Sequence, residues 1–344
     1  MTYSKILITG ASGSLGKQLV CEHIRRDIKP VAQVRENSDT GYLDSVGLEK
    51  RICDMSARAS FESLVEGVDA VIHTAAWVNF RQDRPTQFAS INTIAAVNLF
   101  KAAAEAGVRR FVHVSTVVAV GACKRWGNSQ TTALCENDLI DENHEFNLDH
   151  LRIPYILSKH AAETELKKAA TECDTELVIV NPSIIVAPSR TGDDAGKAKK
   201  RLGRWMLPDL PNHVNLVDLR DVAPGVIAAL EKGRPGERYI LAGDNISVRD
   251  LLLDISSILG RLPHLVRIPR AILNTAARAS VFFSKLTGRG KVSFYPDLIR
   301  LLDYDWAYSS MKARKELGYT NRSIQRTLED LLTNNMTGSY QKPV

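Results

Sequence analysis

The chain has 344 residues, 44% of them hydrophobic and 24% charged, with a net charge of +6 and an isoelectric point near 9.0. This length permits a full core in one elaborate domain or two. Acidic and basic residues are mixed along the chain, which argues against nucleic-acid binding, because that function favours a concentrated basic stripe. Five cysteines without a C-x-x-C pair indicate free thiols in a reducing compartment. No signal peptide or transmembrane run is recognised, so we expect a cytoplasmic protein.

A glycine-rich turn follows the first predicted strand, residues 5–9 (KILIT). The strand is apolar and rich in β-branched residues, which is typical of burial on both faces. Gly10, Gly13 and Gly16 then recur every three residues before an amphipathic helix. Such a turn lets backbone N–H groups approach a pyrophosphate at the positive end of the helix. The turn therefore predicts a dinucleotide site that includes Gly10, Ser12, Gly13, Ser14, Leu15 and Gly16.

The next two predicted strands, residues 30–35 and 51–53, end beside charged side chains. Arg35 lies where a dinucleotide fold places the adenosine ribose, and a cation there suits the 2′-phosphate of NADP. Glu36 could instead accept from the ribose hydroxyls of NAD. NADP(H) is favoured and NAD(H) remains the alternative. Asp54 follows the third strand, where its carboxylate could accept from the adenine amino group or cap a helix.

Strands and helices then alternate along the chain: strand 70–73, helix 85–106 and strand 111–114. This alternation predicts an α/β fold with a doubly wound parallel sheet of the Rossmann type. Small residues after the fourth strand allow the backbone to lie against the cofactor. The further predicted cofactor contacts are Met55, Thr74, Ala75 and Ala76.

Beyond the fifth strand, a polar insert at 121–152 is long enough to cover a site. Helix 154–172 and strand 177–180 follow it, and two short strands at 214–217 and 238–241 then flank helix 222–232. The predicted domains are 1–182 with the returning segment 214–241 as the dinucleotide-binding domain, 183–213 with 242–338 as a smaller, mainly helical substrate domain, and 339–344 as a loose tail.

Four hydroxyl or amine side chains form the candidate catalytic group. Tyr155 and Lys159 are four residues apart on a predicted helix, so they share one face. A neighbouring ammonium is expected to lower the phenol pKa from about 10, which suits proton exchange with an alcohol or alkoxide. Ser115 and Thr116 follow the fifth strand, at the edge of the sheet where open α/β folds bind ligands.

In chain order, the motifs GASGSLG, CDMS, VIHTAA, IN, VHVST, YILSK and NPS resemble an extended short-chain dehydrogenase/reductase of the NAD(P)-dependent epimerase/dehydratase superfamily. The segments VDLRDVAPGVIAALEKG and GERYILAG resemble its dihydroflavonol-reductase and 3β-hydroxysteroid-dehydrogenase branch. The resemblance covers essentially the whole chain. One departure is Asn181-Pro182, where relatives that bind sugar nucleotides usually have Arg-Pro.

The resemblance implies roles for particular residues. It makes Tyr155 the acid/base, and Thr116 the catalytic hydroxyl with Ser115 as second choice. Lys159 would bind the nicotinamide ribose and polarise the phenol, and Asn92 would help to hold a proton-relay water. The residues implied beside the nicotinamide are Pro182 and Ser183.

The expected function is reduction of a ketone or aldehyde on a small hydrophobic molecule, or oxidation of the matching alcohol, without a metal. A sugar-nucleotide epimerase or dehydratase is the alternative, with the basic segment 197–204 as a pyrophosphate clamp. A non-catalytic NADP sensor is a third possibility, although such a protein would be expected to lose Tyr155 and Lys159. Segment 276–286 could touch a membrane surface, but a core helix is favoured. The expected assembly is a monomer or homodimer.

Overall fold

The computed structural model describes residues 3–56, 61–78, 85–124, 139–188, 193–202, 207–210, 212–260, 264–266, 272, 275 and 299–333. The central part of the polar insert, segment 276–286 and the predicted tail 339–344 lie outside these residues.

The strands, in chain order, are β1 Ile6–Thr9, β2 Val31–Val34, β3 Lys50–Ile52, β4 Ala70–His73, β5 Arg110–Val114, β6 Cys123–Lys124, β7 Glu176–Pro182, β8 Ile184–Val186, β9 Leu207–Pro208, β10 His213–Asp218, β11 Arg238–Leu241, β12 Asp244–Ser247, β13 Leu265–Val266 and β14 Tyr304–Asp305. The α-helices are α1 Ser14–Ile24, α2 Gly41–Ser45, α3 Phe61–Val65, α4 Pro85–Phe88, α5 Ala95–Glu105, α6 Pro154–Ala170, α7 Asp194–Leu202, α8 Leu219–Lys232, α9 Val248–Ile258, α10 Met311–Leu317 and α11 Ile324–Leu332.

The main sheet of the described structure contains seven strands in the order β11-β7-β5-β4-β1-β2-β3. Every pairing in it is parallel. The order reverses between β1 and β4, so the carboxyl ends of these two strands flank the crevice in which such sheets bind ligands. The predicted doubly wound α/β fold is confirmed.

Helices cover both faces of this sheet, and β1 shows the reason. Ile6 and Ile8 point into a core formed with helices α1 and α8, whereas Leu7, between them, points into a second core with α3, α5 and α6. Successive strand side chains face opposite sides. A strand covered on both faces is therefore apolar throughout, as the KILIT segment is.

Two elements differ from the sequence prediction. The segment 214–241 was expected to return to the dinucleotide-binding domain, but its first strand, β10, pairs with β8 and β12 in a separate three-stranded sheet. The rest of the segment meets the expectation, because α8 packs on the main sheet and β11 is its edge strand, paired with β7. The helix predicted at 85–106 is interrupted by a π-helical segment, Ala89–Ile94, between α4 and α5. Such segments occur frequently at functional sites.

Within the described part of the chain, no helix is long and apolar enough to cross a bilayer. The described His, Cys, Asp and Glu side chains also form no group of three that could hold a metal ion.

Candidate active site

The turn between β1 and α1 brings the backbone close to itself in a way that only glycine allows. Gly10 has a φ of +66°, in the left-handed region that favours glycine. A Cβ on Gly16 would lie 2.2 Å from the Gly10 carbonyl oxygen, so α1 could not start where it does. In the described structure, no side chain caps the start of α1 and its first turn has no acidic residue. The positive end of α1 is thus suited to an anion.

A cavity of about 450 Å³ lies beside this turn. The predicted cofactor residues that line it are Gly10, Ser12, Gly13, Arg35, Asp54, Met55, Thr74, Ala75 and Ala76. The predicted residues outside its lining are Ser14, Leu15 and Gly16 in α1, Tyr155 and Lys159 in α6, and Pro182 and Ser183 at the end of β7. The structure therefore gathers most of the predicted cofactor residues in one place.

Sequence reasoning missed Gln33, a buried residue in the middle of β2 that also lines the cavity. Its Oε1 accepts from the Gly10 N–H at 2.8 Å, and its Nε2 donates to the Cys53 carbonyl at 2.7 Å. Gln33 thereby ties the glycine turn to the end of β3. A single polar residue inside an apolar strand was the available signal. The cavity is also lined by Val34, Asn37, Ser38, Asp39, Trp77, Val78 and Ile91.

The charged residues at the adenosine end are exposed. The Arg35 backbone N–H donates to Ser38 Oγ at 3.1 Å, which shapes the turn after β2. Asp54 Oδ1 accepts from the Ser56 N–H at 3.1 Å, so its carboxylate has a local capping contact while it lines the cavity.

Thr116 and Tyr155 meet beyond the carboxyl end of β5. The Thr116 side chain forms a hydrogen bond with the Tyr155 phenol, and burial raises the pKa of Tyr155 to about 12 although that bond opposes the rise. The Phe88 ring packs edge-on against the phenol, with centroids 6.4 Å apart.

Lys159 lies one turn further along α6, with its side chain 2% exposed. Its Nζ donates to the Val114 carbonyl at 2.9 Å. Burial lowers the pKa of Lys159 to about 8, and Glu163 acts in the opposite direction. The sequence led us to expect that Lys159 would lower the Tyr155 pKa. The shift instead goes upward, because removal of the phenol from water dominates.

Asn92 joins the cavity wall to the catalytic helix. It lies in the π-helical segment and is buried. Its Oδ1 accepts from the Trp77 N–H at 2.7 Å, while its Nδ2 donates to the Trp77 carbonyl at 3.1 Å and to Ser158 Oγ at 3.0 Å. The amide therefore holds the chain after β4 against α6, where Tyr155 and Lys159 lie.

Ser115 and Thr116 are adjacent but point to different partners. The Ser115 hydroxyl donates to Glu163 Oε1 at 2.5 Å, and the Asn181 amide donates to the same oxygen at 2.6 Å. Sequence reasoning missed Glu163 as part of the site, although Tyr155, Lys159 and Glu163 follow one another at four-residue spacing. After Asn181 in the chain, Pro182 pairs in register with Leu241, and Ser183 is buried with its N–H donated to the Leu241 carbonyl at 3.3 Å.

A parallel sheet of this order, with a glycine cradle at β1 and a Thr–Tyr–Lys group beyond β5, defines an NAD(P)-binding enzyme of the Rossmann type. The chain belongs to the NAD dependent epimerase/dehydratase family, whose model matches residues 6–242. It is accordingly an extended short-chain dehydrogenase/reductase, a group of NAD(P)-dependent oxidoreductases and epimerases. The resemblance read from the motifs is thus confirmed.

Two relatives and one solved structure illustrate the similarity. The chain is 28% identical over 333 residues to sterol demethylase protein B of Methylococcus capsulatus, covering 94% of this chain and 96% of that one. It is also 28% identical over 330 residues to a putative dihydroflavonol 4-reductase of Synechocystis, covering 94% and 92%. The crystal structure of gox2253 superposes with a TM-score of 0.79 at 27% identity, covering 98% of this chain and all of that one.

Proposed function

We propose that this protein uses NADPH to reduce a ketone or aldehyde group on a small hydrophobic molecule, or oxidises the matching alcohol. The observation that carries the proposal is the hydrogen bond between the Thr116 side chain and the phenol of the half-buried Tyr155. Two hydroxyls that already contact each other can both hold one substrate oxygen, which is the arrangement that polarises a carbonyl.

The proposal assigns a role to each residue of the catalytic group and to Asn92. Bound NADPH supplies the hydride. Tyr155 gives its proton to the substrate oxygen, and Thr116 donates a hydrogen bond that orients this oxygen. Lys159 holds the nicotinamide ribose and supplies positive charge close to the phenol. Asn92 keeps the wall at Trp77 against α6 and helps to hold a proton-relay water.

The pKa of Tyr155 favours the reductive direction. A phenol with a pKa of about 12 is protonated throughout the neutral range, and the protonated phenol is the form that reduction consumes. Alcohol oxidation would require the phenolate instead. Transfer to the substrate remains favourable because an alkoxide is a stronger base than a phenolate.

The proposed cofactor contacts follow the cavity. The start of α1, with Gly10, Ser12, Gly13, Ser14, Leu15 and Gly16 around it, would hold the pyrophosphate. Arg35 would contact the 2′-phosphate of NADP, and Asp54 with Met55 would contact the adenine. The remaining proposed contacts are Thr74, Ala75, Ala76, Pro182 and Ser183.

The runner-up is an epimerase or dehydratase of sugar nucleotides, which the name of the family includes. Its support is the basic helix α7, which carries Lys197 and Lys200 and could contact a pyrophosphate. Asn181 argues against this function, because relatives that bind sugar nucleotides usually have an arginine at this position. The Asn181 amide instead donates inward to Glu163 and to the Thr116 carbonyl. Carbonyl reduction agrees better than epimerisation with the Synechocystis relative, which is named a putative dihydroflavonol 4-reductase.

A substrate panel separates these functions. Ketones and aldehydes are incubated with the protein and NADPH, and nucleoside-diphosphate sugars with the protein and NAD⁺ or NADP⁺, because epimerisation begins with oxidation of the sugar. Cofactor absorbance and products are followed together. A carbonyl reductase consumes one NADPH for each alcohol formed. Conversion of a sugar nucleotide without net NADPH consumption would establish the runner-up. Tight NADPH binding with no product from any compound would favour a sensor and contradict the proposal.

A further inference from the structure

Glu163 is a buried carboxylate on the same helix as Tyr155 and Lys159, and the proposed reaction assigns it no role. Its side chain is 1% exposed. Its Oε1 accepts two hydrogen bonds, from Ser115 and Asn181, and its Oε2 lies 3.7 Å from the Arg238 guanidinium. A buried carboxylate is costly unless it is paired and hydrogen-bonded, and two branches of this network lead to residues of the candidate site.

One branch of the network leads to Thr116. The Asn181 Nδ2 that donates to Glu163 also donates to the Thr116 backbone carbonyl at 3.0 Å. Glu163 and Thr116 are thus two acceptors of one amide group. The Ser115 N–H donates to the Val180 carbonyl at 2.8 Å, so the chain just before Thr116 is anchored to β7 as well. This anchoring sets the direction in which the Thr116 hydroxyl points.

The other branch is electrostatic and leads to Lys159, one helical turn before Glu163. His73 of β4 and His113 of β5 face Lys159, and burial lowers the pKa of both, so both are neutral at working pH. The Val114 carbonyl accepts from the Lys159 ammonium, and Glu163 is the ionisable group whose charge raises the pKa of Lys159. The other charged groups that face Glu163 are Arg238 of β11 and Lys167 of α6.

We propose that Glu163 is a positioning residue, which fixes the backbone of Thr116 through Asn181 and keeps the buried Lys159 side chain charged. The Thr116 branch rests on the proposed carbonyl reduction. The Lys159 branch requires only that the protein binds a nicotinamide dinucleotide, as its family does.

The Lys159 branch is tested by cofactor binding as a function of pH. Dissociation constants for NADPH are measured between pH 6 and 10, with NADH in parallel because it lacks a titrating 2′-phosphate. The wild-type protein should lose affinity as pH rises through about 8, where Lys159 becomes neutral. In Glu163→Gln, which retains an acceptor oxygen but not the charge, the loss should begin about one pH unit lower. Glu165→Gln, on an exposed position of the same helix, should follow the wild type.

A Glu163→Gln profile that coincides with the wild type would overturn this branch, because a purely structural carboxylate would not move the pH dependence. If Glu163→Gln does not fold, Arg238→Met takes its place. Removal of the Arg238 cation should strengthen the effect of the Glu163 carboxylate on Lys159. The pH at which NADPH affinity is lost should therefore rise. An unchanged profile in that variant would likewise contradict the proposal.

The Thr116 branch is tested by Asn181→Ala, which keeps the Glu163 side chain and removes the amide that joins it to Thr116. Turnover of a reducible carbonyl should fall at least tenfold, while the pH at which NADPH affinity is lost stays at the wild-type value. Unchanged turnover would overturn this branch. If the wild type reduces no carbonyl, the proposed function fails, and the pH profile of NADPH binding still decides the role of Glu163 toward Lys159.

Discussion

The two ends of the candidate site, the catalytic group beyond β5 and the charged residues after β2 and β3, are built differently. At the catalytic end, Lys159 and Asn92 are buried, and each is held by hydrogen bonds to the backbone. At the adenosine end, Arg35 and Asp54 are exposed. The buried groups are fixed and interact in a low dielectric, whereas the exposed charges are mobile and screened by salt. Changes at the catalytic end should therefore alter the chemistry strongly, and changes at the adenosine end should adjust cofactor preference modestly.

The glycine turn between the two ends should show the largest effect. In Gly16→Ala, the new Cβ would lie 2.2 Å from a backbone oxygen, so α1 must move away from β1. We expect destabilisation of about 3 kcal/mol and loss of detectable NADPH and NADH binding, measured by urea unfolding and calorimetry. The control is Gly41→Ala, where the nearest atom would be 3.6 Å away. Wild-type affinity in Gly16→Ala would mean that the turn is not the pyrophosphate site.

We expect Lys159→Met to stabilise the protein, because the buried lysine lowers the free energy of unfolding of the wild type. The pKa of Lys159 falls from 10.5 to about 8 on folding, so below pH 8 the folded state holds a charge that burial disfavours. A methionine of similar length removes this penalty, and we expect the free energy of unfolding at pH 7 to rise by on the order of 2 kcal/mol.

The sign of this effect can be checked by pH. Between pH 8 and 10.5 the unfolded state binds more protons at this lysine than the folded state, so the wild type recovers stability as pH rises. The advantage of Lys159→Met should therefore shrink toward pH 10.5. The exposed Lys168→Met serves as the control in the same urea titrations. A variant that is less stable than the wild type at pH 7 would show that Lys159 contributes more through its bond to Val114 than burial costs.

Arg35→Ala should have the smallest effect, and only on the choice of cofactor. We expect the preference for NADPH over NADH to fall about tenfold, the lower end for a charge-assisted contact, because the side chain is exposed. The measurement is the ratio of the two dissociation constants. Glu36→Gln is the control and should not weaken NADPH binding. A wild-type protein that prefers NADH would contradict the role given to Arg35.

Local patterns were sufficient to predict much of the fold and of the site. The strand–turn–helix around Gly10 and the spacing of Tyr155 and Lys159 are encoded within a few neighbouring residues. Features set by distant contacts were not predictable. In the π-helical segment, Asn92 contacts Trp77 and Ser158, which are 15 and 66 residues away in the chain. Glu163 contacts Ser115 from 48 residues away. The upward pKa shift of Tyr155 depends on burial in the folded protein, which residue spacing alone does not reveal.

The central claim is that the Thr116–Tyr155–Lys159 group carries out proton transfer, and Tyr155→Phe tests it most directly. The change removes one oxygen and leaves the ring to pack against Phe88. With a reducible carbonyl from the panel, we expect turnover to fall by about two to four powers of ten, while NADPH affinity and folding change little. Wild-type turnover in Tyr155→Phe would contradict the account, because the proton would then come from another group.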